Sequence, residues 1–145
     1  MEKASFVSRF IAYIVDQVIL GMIGCALMLP FMGLFGVAAA TESNVLSAFA
    51  GLAFLIVLPI VMVLNFIYFG FFWSRDGQSV GMKLMRIRVV SRDGGTVSFI
   101  RAALRGTFGY MISGFLCGLG FLWAAFDPAG EAWHDKLFET RVVDA

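Results

Sequence analysis

Three long stretches without a charged residue constrain this chain more than any other feature of its sequence. They cover residues 17–41, 43–74 and 106–126. Each can supply the ~20 apolar residues that cross a ~30 Å hydrocarbon core as a helix. Only 14% of the residues are charged, whereas soluble domains contain about 25%. The sequence therefore predicts an integral membrane protein.

The predicted fold is all-α, with all 145 residues in one membrane domain. We expect helix one at about 8–36 and helix two at about 46–73. A basic segment at about 75–103 precedes a third hydrophobic segment at about 105–126, and the tail is 127–145. A secretory signal peptide is not expected, because the first apolar stretch is longer than a signal sequence and contains Asp16.

The third hydrophobic segment is rich in glycine, which leaves its path open. It contains Gly106, Gly109, Gly114, Gly118 and Gly120. It can cross as a third transmembrane span or enter and leave on one side as a re-entrant hairpin. Irregular backbone at membrane depth requires protein or water around it. We expect the hairpin and the return of the tail.

The distribution of basic residues predicts the topology. Seven of the eleven Lys and Arg residues lie between Arg75 and Arg105, and the loop at 41–44 has none. Basic loops remain in the cytoplasm. We therefore expect the N-terminus, with Lys3 and Arg9, and the basic segment to be cytoplasmic.

The basic segment also carries a strand pattern. Residues 85–89 alternate apolar and polar side chains, which predicts a strand. Residues 92–95 (RDGG) predict a turn, and 96–99 are expected to return as a second strand. The tail residues 140–143 repeat the pattern and are a candidate third strand. The result is a small cytoplasmic β-ribbon.

Four short motifs resemble the RDD family of prokaryotic membrane proteins, in the family's order. Residues 8–16 (SRFIAYIVD) resemble its opening, and 77–90 (GQSVGMKLMRIRVV) its glycine–lysine–strand stretch. Arg105 stands where the family has an arginine before its last hydrophobic segment. Residues 133–143 (WHDKLFETRVV) resemble its closing motif, although Glu139 replaces a small residue.

The resemblance implies that Arg9, Asp16 and Asp135 are the arginine and two aspartates for which the family is named. It also implies a multi-pass protein of a prokaryotic cell (inner) membrane. The biochemical role of the family is largely unsettled, and transport of a solute or an ion is the usual suggestion.

Asp16 is the leading candidate for a functional group. A carboxylate within a membrane helix is costly and is usually functional or paired. Arg9 lies seven residues earlier in the chain, too far for a direct bond along one helix. We expect Arg9, Asp16, Arg105 and Asp135 to form one charged network or ion site, and a purely structural ion pair is the alternative.

Two further polar residues are candidates for lining a pathway. His134 precedes Asp135 and titrates near neutral pH in its ordinary state. Asn65 is a strongly polar residue deep in helix two. It is expected either to line a path or to bond across a helix interface.

The sequence contains no nucleophile–base pair, metal-binding motif or nucleotide fingerprint. We therefore expect no enzyme activity, cofactor, metal or nucleic-acid partner. The expected partners are the lipid bilayer and either further copies of this chain or other membrane proteins. Two functions remain open: transport of an ion or small solute with Asp16 titrating, or a non-catalytic accessory or assembly role on a larger membrane complex.

Overall fold

The computed structural model describes residues 2–115 and 117–145. The first two uncharged stretches form the long helices α1 (Phe6–Ala40) and α2 (Asn44–Arg75). Both are long and apolar enough to cross a membrane, which confirms the two predicted spans. Helix α1 continues through Pro30 to Ala40, beyond the expected end near residue 36.

The chain divides into two compact units. One unit is Val18–Leu64 and consists of the adjoining parts of α1 and α2. Each part exceeds the ~20 residues needed to cross the hydrocarbon core. Its surface is apolar, with Met22, Leu29 and Leu55 each more than 60% exposed. This is the surface expected where helices contact acyl chains rather than water.

The second unit contains residues 2–17 and 65–145 and carries the β-ribbon. A short helix α3 (Val80–Leu84) precedes strand β1 (Ile87–Ser91). Strand β1 pairs antiparallel with β2 (Thr140–Asp144), with Val89 opposite Val142. A small ribbon that includes the predicted tail strand is thus confirmed, with the tail as the second strand and not the third. Lys3 adds an isolated bridge to Val143.

The predicted second strand at 96–99 is wrong. The turn after β1 is present, because the Ser91 amide donates to the Gly95 carbonyl at 2.9 Å. Val97 is then buried, and helix α4 (Phe99–Leu104) begins two residues later. The segment is too short for a strand before the chain turns into the third hydrophobic segment.

The third hydrophobic segment is broken, not continuous. A π-helical turn (Arg105–Gly109) follows α4 and leads to α5 (Tyr110–Phe115). Helix α6 (Leu119–Phe126) begins after Gly118, whose φ is +79°. The helical pieces before and after this break lie at 90° to each other.

The chain after α6 returns to the start of the third segment. A short helix α7 (Trp133–Leu137) packs against the π-helical turn, since a Cβ on Gly109 would lie 2.9 Å from the His134 Cβ. Strand β2 then pairs with β1, which precedes the segment. The residues before and after the third segment therefore meet in one unit, and the broken segment is either a bent span or a re-entrant loop.

Candidate functional site

The structure divides the four predicted network residues between two centres. Arg9, Arg105 and Asp135 lie together, and we call this group the arginine centre. Asp16 bonds to different partners: within residues 2–115 and 117–145 it makes no hydrogen bond or salt bridge to an arginine. The expected single network is therefore two separate networks, and both belong to the unit of residues 2–17 and 65–145.

Arg105 is the buried core of the arginine centre. It is the first residue of the π-helical turn and is 1% exposed. Its Nε and Nη2 donate to Asp135 Oδ1 at 3.2 and 2.5 Å, and Nε also donates to Thr140 Oγ1 at 3.0 Å. The guanidinium carbon lies 4.5 Å from the centroid of the Trp73 ring, a cation–π contact. Arg105 thus connects α2, the third segment and the tail.

Arg9 approaches the same carboxylate from the first turns of α1. Its Nη1 donates to Asp135 Oδ2 at 3.4 Å and to the Gly130 carbonyl at 2.6 Å. Its Nη2 donates to the Val142 carbonyl at 2.7 Å. Most of its hydrogen bonds therefore go to backbone of the tail, and Arg9 fastens the tail to α1.

Asp135 is held ionised by this arrangement. The residue is fully buried. Burial opposes ionisation, but Arg105 first and then other neighbouring charges, including Arg9, outweigh it and lower the pKa of Asp135 to about 2. Its Oδ2 also accepts from the Ala132 amide at 3.1 Å, which fixes the first turn of α7. Asp135 is thus a permanent anion and a poor proton carrier near neutral pH.

His134 lies beside the arginine centre in an apolar setting. Its ring contacts those of Tyr110 and Phe121 with centroids 5.0 and 5.1 Å away. Its Nδ1 lies 2.8 Å from the Ser113 hydroxyl. Burial is the main reason why the pKa of His134 falls to about 3. The positive charges of Arg105 and Arg9 lower this pKa further, and the negative charge of Asp135 raises it in part. The imidazole is therefore neutral in the folded protein.

The buried neutral His134 predicts a loss of stability in mild acid. Between about pH 6.5 and 3 the unfolded chain binds a proton that the folded chain does not, so stability falls as the pH falls. The slope approaches ~1.4 kcal/mol per pH unit. Thermal midpoints in detergent between pH 5 and 6.5 measure it, since the lowered pKa of Asp135 affects stability only below about pH 5.

His134→Asn serves as the matched variant, because an amide can keep a hydrogen bond to Ser113 but does not titrate. We expect its thermal midpoint to be nearly flat over the same pH range. An equal acid slope in the wild type and His134→Asn would contradict the assignment.

Asp16 forms the second centre, held by neutral donors. Oδ1 accepts from the Tyr68 hydroxyl at 2.8 Å and from the Gly81 amide at 2.8 Å. Oδ2 accepts from the Ser79 hydroxyl at 2.5 Å. Asp16 is only 1% exposed. We call Asp16, Tyr68, Ser79 and Gly81 the Asp16 centre.

The GQSVG part of the 77–90 motif is the segment that encloses Asp16. Gly77 has a φ of +71°. Its carbonyl oxygen accepts a hydrogen bond from the Val89 amide at 2.7 Å, which holds this segment beside β1. Gly81 lies so close to α1 that a Cβ there would be 2.1 Å from the Ala12 carbonyl oxygen. Both glycines are therefore required by geometry, and Ser79 between them is aimed at the carboxylate.

Sequence reasoning did not assign Tyr68, Ser79, Gly81 or Thr140 to a site. These residues carry no charge, so opposite charges in the sequence do not indicate them. The spacing Gly77-xxx-Gly81 before a basic strand was the available signal for the Asp16 partners. Asn65 lies half-buried on α2 one turn before Tyr68, on the same face of the helix.

Comparison with known proteins agrees with these motifs. The RDD family model matches residues 3–139. The uncharacterized protein YxaI of Bacillus subtilis (strain 168) is 30% identical over 151 aligned positions, which cover 99% of this chain and 99% of YxaI. No solved structure matches this chain. The match spans both the Asp16 centre and the arginine centre, and the chain belongs to the RDD family.

Proposed function

We propose that this protein transports an ion or small solute across a prokaryotic inner membrane and that Asp16 is its titrating group. One observation carries the proposal: Asp16 is a buried carboxylate whose three hydrogen bonds come from neutral groups. An unpaired charge in a low-dielectric site is costly. A proton or a cation at Asp16 relieves that cost without breaking a salt bridge.

The contrast with Asp135 supports this choice. Asp135 is bound by two arginines and stays ionised, so it acts as a structural anchor. Among the described residues, Oδ2 of Asp16 accepts one hydrogen bond, and a carboxylate oxygen can accept a second. The Ser79 and Tyr68 hydroxyl oxygens can also turn lone pairs toward a cation. Of the two buried aspartates, only Asp16 has the freedom that cyclic binding and release require.

Asp16→Asn tests the proposal because it removes titration and is expected to keep the fold. The amide oxygen can accept from Tyr68 and Gly81, and the amide NH₂ can donate to the Ser79 hydroxyl, which accepts as well as donates. We expect proteoliposomes with the wild type to dissipate a pH gradient on addition of Na⁺ or K⁺. Asp16→Asn should abolish this activity while the purified protein remains folded.

Asp76→Asn is the matched control, since Asp76 is an exposed acid paired with Lys83. Its activity should equal that of the wild type. If Asp16→Asn is folded and as active as the wild type, Asp16 is not the transport site. If the wild type moves no ion in proteoliposomes and copurifies with another membrane protein, the accessory role is the better proposal.

The proposed topology places the N-terminus and β1 in the cytoplasm and the turn between α1 and α2 outside. It rests on the seven basic residues between Arg75 and Arg105. Glu42 and Asp93 are both exposed, and the proposed topology puts them on opposite sides of the membrane. In a background without Cys25 and Cys117, a membrane-impermeant thiol reagent added to intact cells should label Glu42→Cys and not Asp93→Cys. The reverse pattern would invert the topology.

A further inference from the structure

A cavity of about 350 Å³ lies between the start of α1, the third segment and the tail. All of its lining residues belong to the unit of residues 2–17 and 65–145. One side is the arginine centre with His134. The remaining wall is mostly apolar and includes Phe6, Phe10, Tyr13, Phe121 and Leu122. The cavity is thus amphipathic, with its charge concentrated on one side.

The charged side has one positive charge in excess. Arg9 and Arg105 repel each other and share a single carboxylate, that of Asp135. The neighbouring Glu131 is paired with Arg92 at 2.7 Å and does not supply a free negative charge. A buried positive charge without a counter-ion is costly, and this side of the cavity favours an anion.

Both arginines also keep unused donors. Arg105 Nη1 and Arg9 Nε are buried and make no hydrogen bond in the described part of the chain. The Arg105 guanidinium carbon also lies 5.9 Å from the centroid of the Tyr110 ring, and Tyr110 stabilises the Arg105 charge. Buried guanidinium groups normally use their donors, and anions that offer two neighbouring oxygens, such as carboxylate and phosphate, match them best.

The mouth of the cavity is apolar. Phe10 on α1 is 51% exposed and Leu122 on α6 is 45% exposed, and both line the cavity. Exposed apolar side chains of membrane helices contact acyl chains. A ligand that enters past these residues has an apolar body and an anionic end.

We propose that this cavity binds the anionic headgroup of a membrane phospholipid. The phosphate lies against Arg9, whose side chain is the more exposed of the two arginines, and takes a charge-assisted hydrogen bond from it. The buried Arg105 behind it adds positive charge to this side of the cavity. The acyl chains leave the cavity past Phe10 and Leu122. The proposal does not depend on transport through Asp16, because the Asp16 carboxylate does not line this cavity.

Gly114→Leu tests the proposal by filling the cavity. Gly114 lines the cavity, and a Cβ there would meet no atom within 4 Å. Gly36→Leu is the matched control, since Gly36 on α1 is equally open and lies in the other unit. If Gly114→Leu does not fold, Leu122→Trp narrows the mouth from a half-exposed position instead.

Two measurements are made on the full chain in mild detergent with added dioleoyl phosphatidylglycerol. The first is the thermal midpoint of unfolding, and the second is the number of bound lipids by native mass spectrometry. We expect one retained lipid per chain, a higher midpoint, and a loss of apparent affinity of at least about tenfold in Gly114→Leu. Gly36→Leu should bind like the wild type. Equal binding of phosphatidylcholine, or an unchanged affinity in both cavity variants, would overturn the proposal. Saturation by inorganic phosphate at the same concentration would show a small-anion site and also overturn it.

Discussion

Asp135→Asn is expected to lower the stability of the protein by ~3–5 kcal/mol, the cost of removing one partner from a buried ion pair. The five donors around the carboxylate explain the size of the effect. Oδ1 accepts from Arg105 and Thr140, and Oδ2 from Arg9 and the Ala132 amide. Arginine and backbone N–H groups cannot accept a hydrogen bond. An asparagine NH₂ group therefore faces a donor in either orientation.

The same substitution at Asp16 is the internal comparison. Both aspartates are at most 1% exposed. The Asp16 centre, however, contains two hydroxyl groups that can accept as well as donate a hydrogen bond. We expect Asp16→Asn to be much less destabilising than Asp135→Asn. Thermal midpoints in detergent compare them directly, with exposed Asp76→Asn as the reference for an unchanged value. A shift of on the order of 10 °C separates the two cases.

A double-mutant cycle distinguishes loss of the ion pair from general damage. Arg105→Gln alone leaves Asp135 with Arg9, and Asp135→Asn alone leaves two arginines together. If the two residues stabilise each other, the double variant loses less stability than the two single variants combined. Strict additivity would show that Arg105 and Asp135 act independently and would contradict the geometry.

The sequence was sufficient to predict the features that depend on composition and charge. Hydropathy located α1 and α2, and the glycines predicted a broken third segment. The grouping of Arg9, Arg105 and Asp135 follows from opposite charges in an apolar chain. The tail strand was visible because residues 140–143 repeat the alternation of residues 85–89.

The partners of Asp16 could not be predicted in the same way. A buried carboxylate suggests an arginine, and charge balance suggested that two arginines and two aspartates share one site. The structure instead satisfies Asp16 with two hydroxyls and a backbone amide. Neutral donors leave no electrostatic signature in a sequence. Their positions depend on how the segment after α2 turns back against α1, which is a tertiary contact.

Gly81 is where that contact is closest, and Gly81→Ala is expected to disrupt it. The added Cβ would lie 2.1 Å from the Ala12 carbonyl oxygen and 2.9 Å from its carbon. Both atoms are backbone of the buried residue Ala12 on α1, so a side-chain rotation cannot relieve the overlap. Helix α3 (Val80–Leu84) must move away from α1.

This movement also separates the Gly81 amide from Asp16, now 2.8 Å apart. The buried carboxylate then loses one of its three donors, and an unsatisfied buried group costs ~1–3 kcal/mol beyond the steric strain. We expect a loss of stability comparable to that of Asp135→Asn, measured by thermal midpoint in detergent. Gly36→Ala is the matched control, since a Cβ at Gly36 meets nothing within 4 Å.

The two variants at the Asp16 centre are expected to differ in their effect on stability. Gly81→Ala should lose transport and stability together, whereas Asp16→Asn should lose transport and keep most of its stability. A Gly81→Ala protein as stable as the wild type would show that α3 and α1 have room for a Cβ at residue 81. The distance of 2.1 Å from that Cβ to the Ala12 carbonyl oxygen would then be too short. The enclosure of Asp16 by the segment at 77–81 would then no longer explain why that carboxylate is buried without a cationic partner.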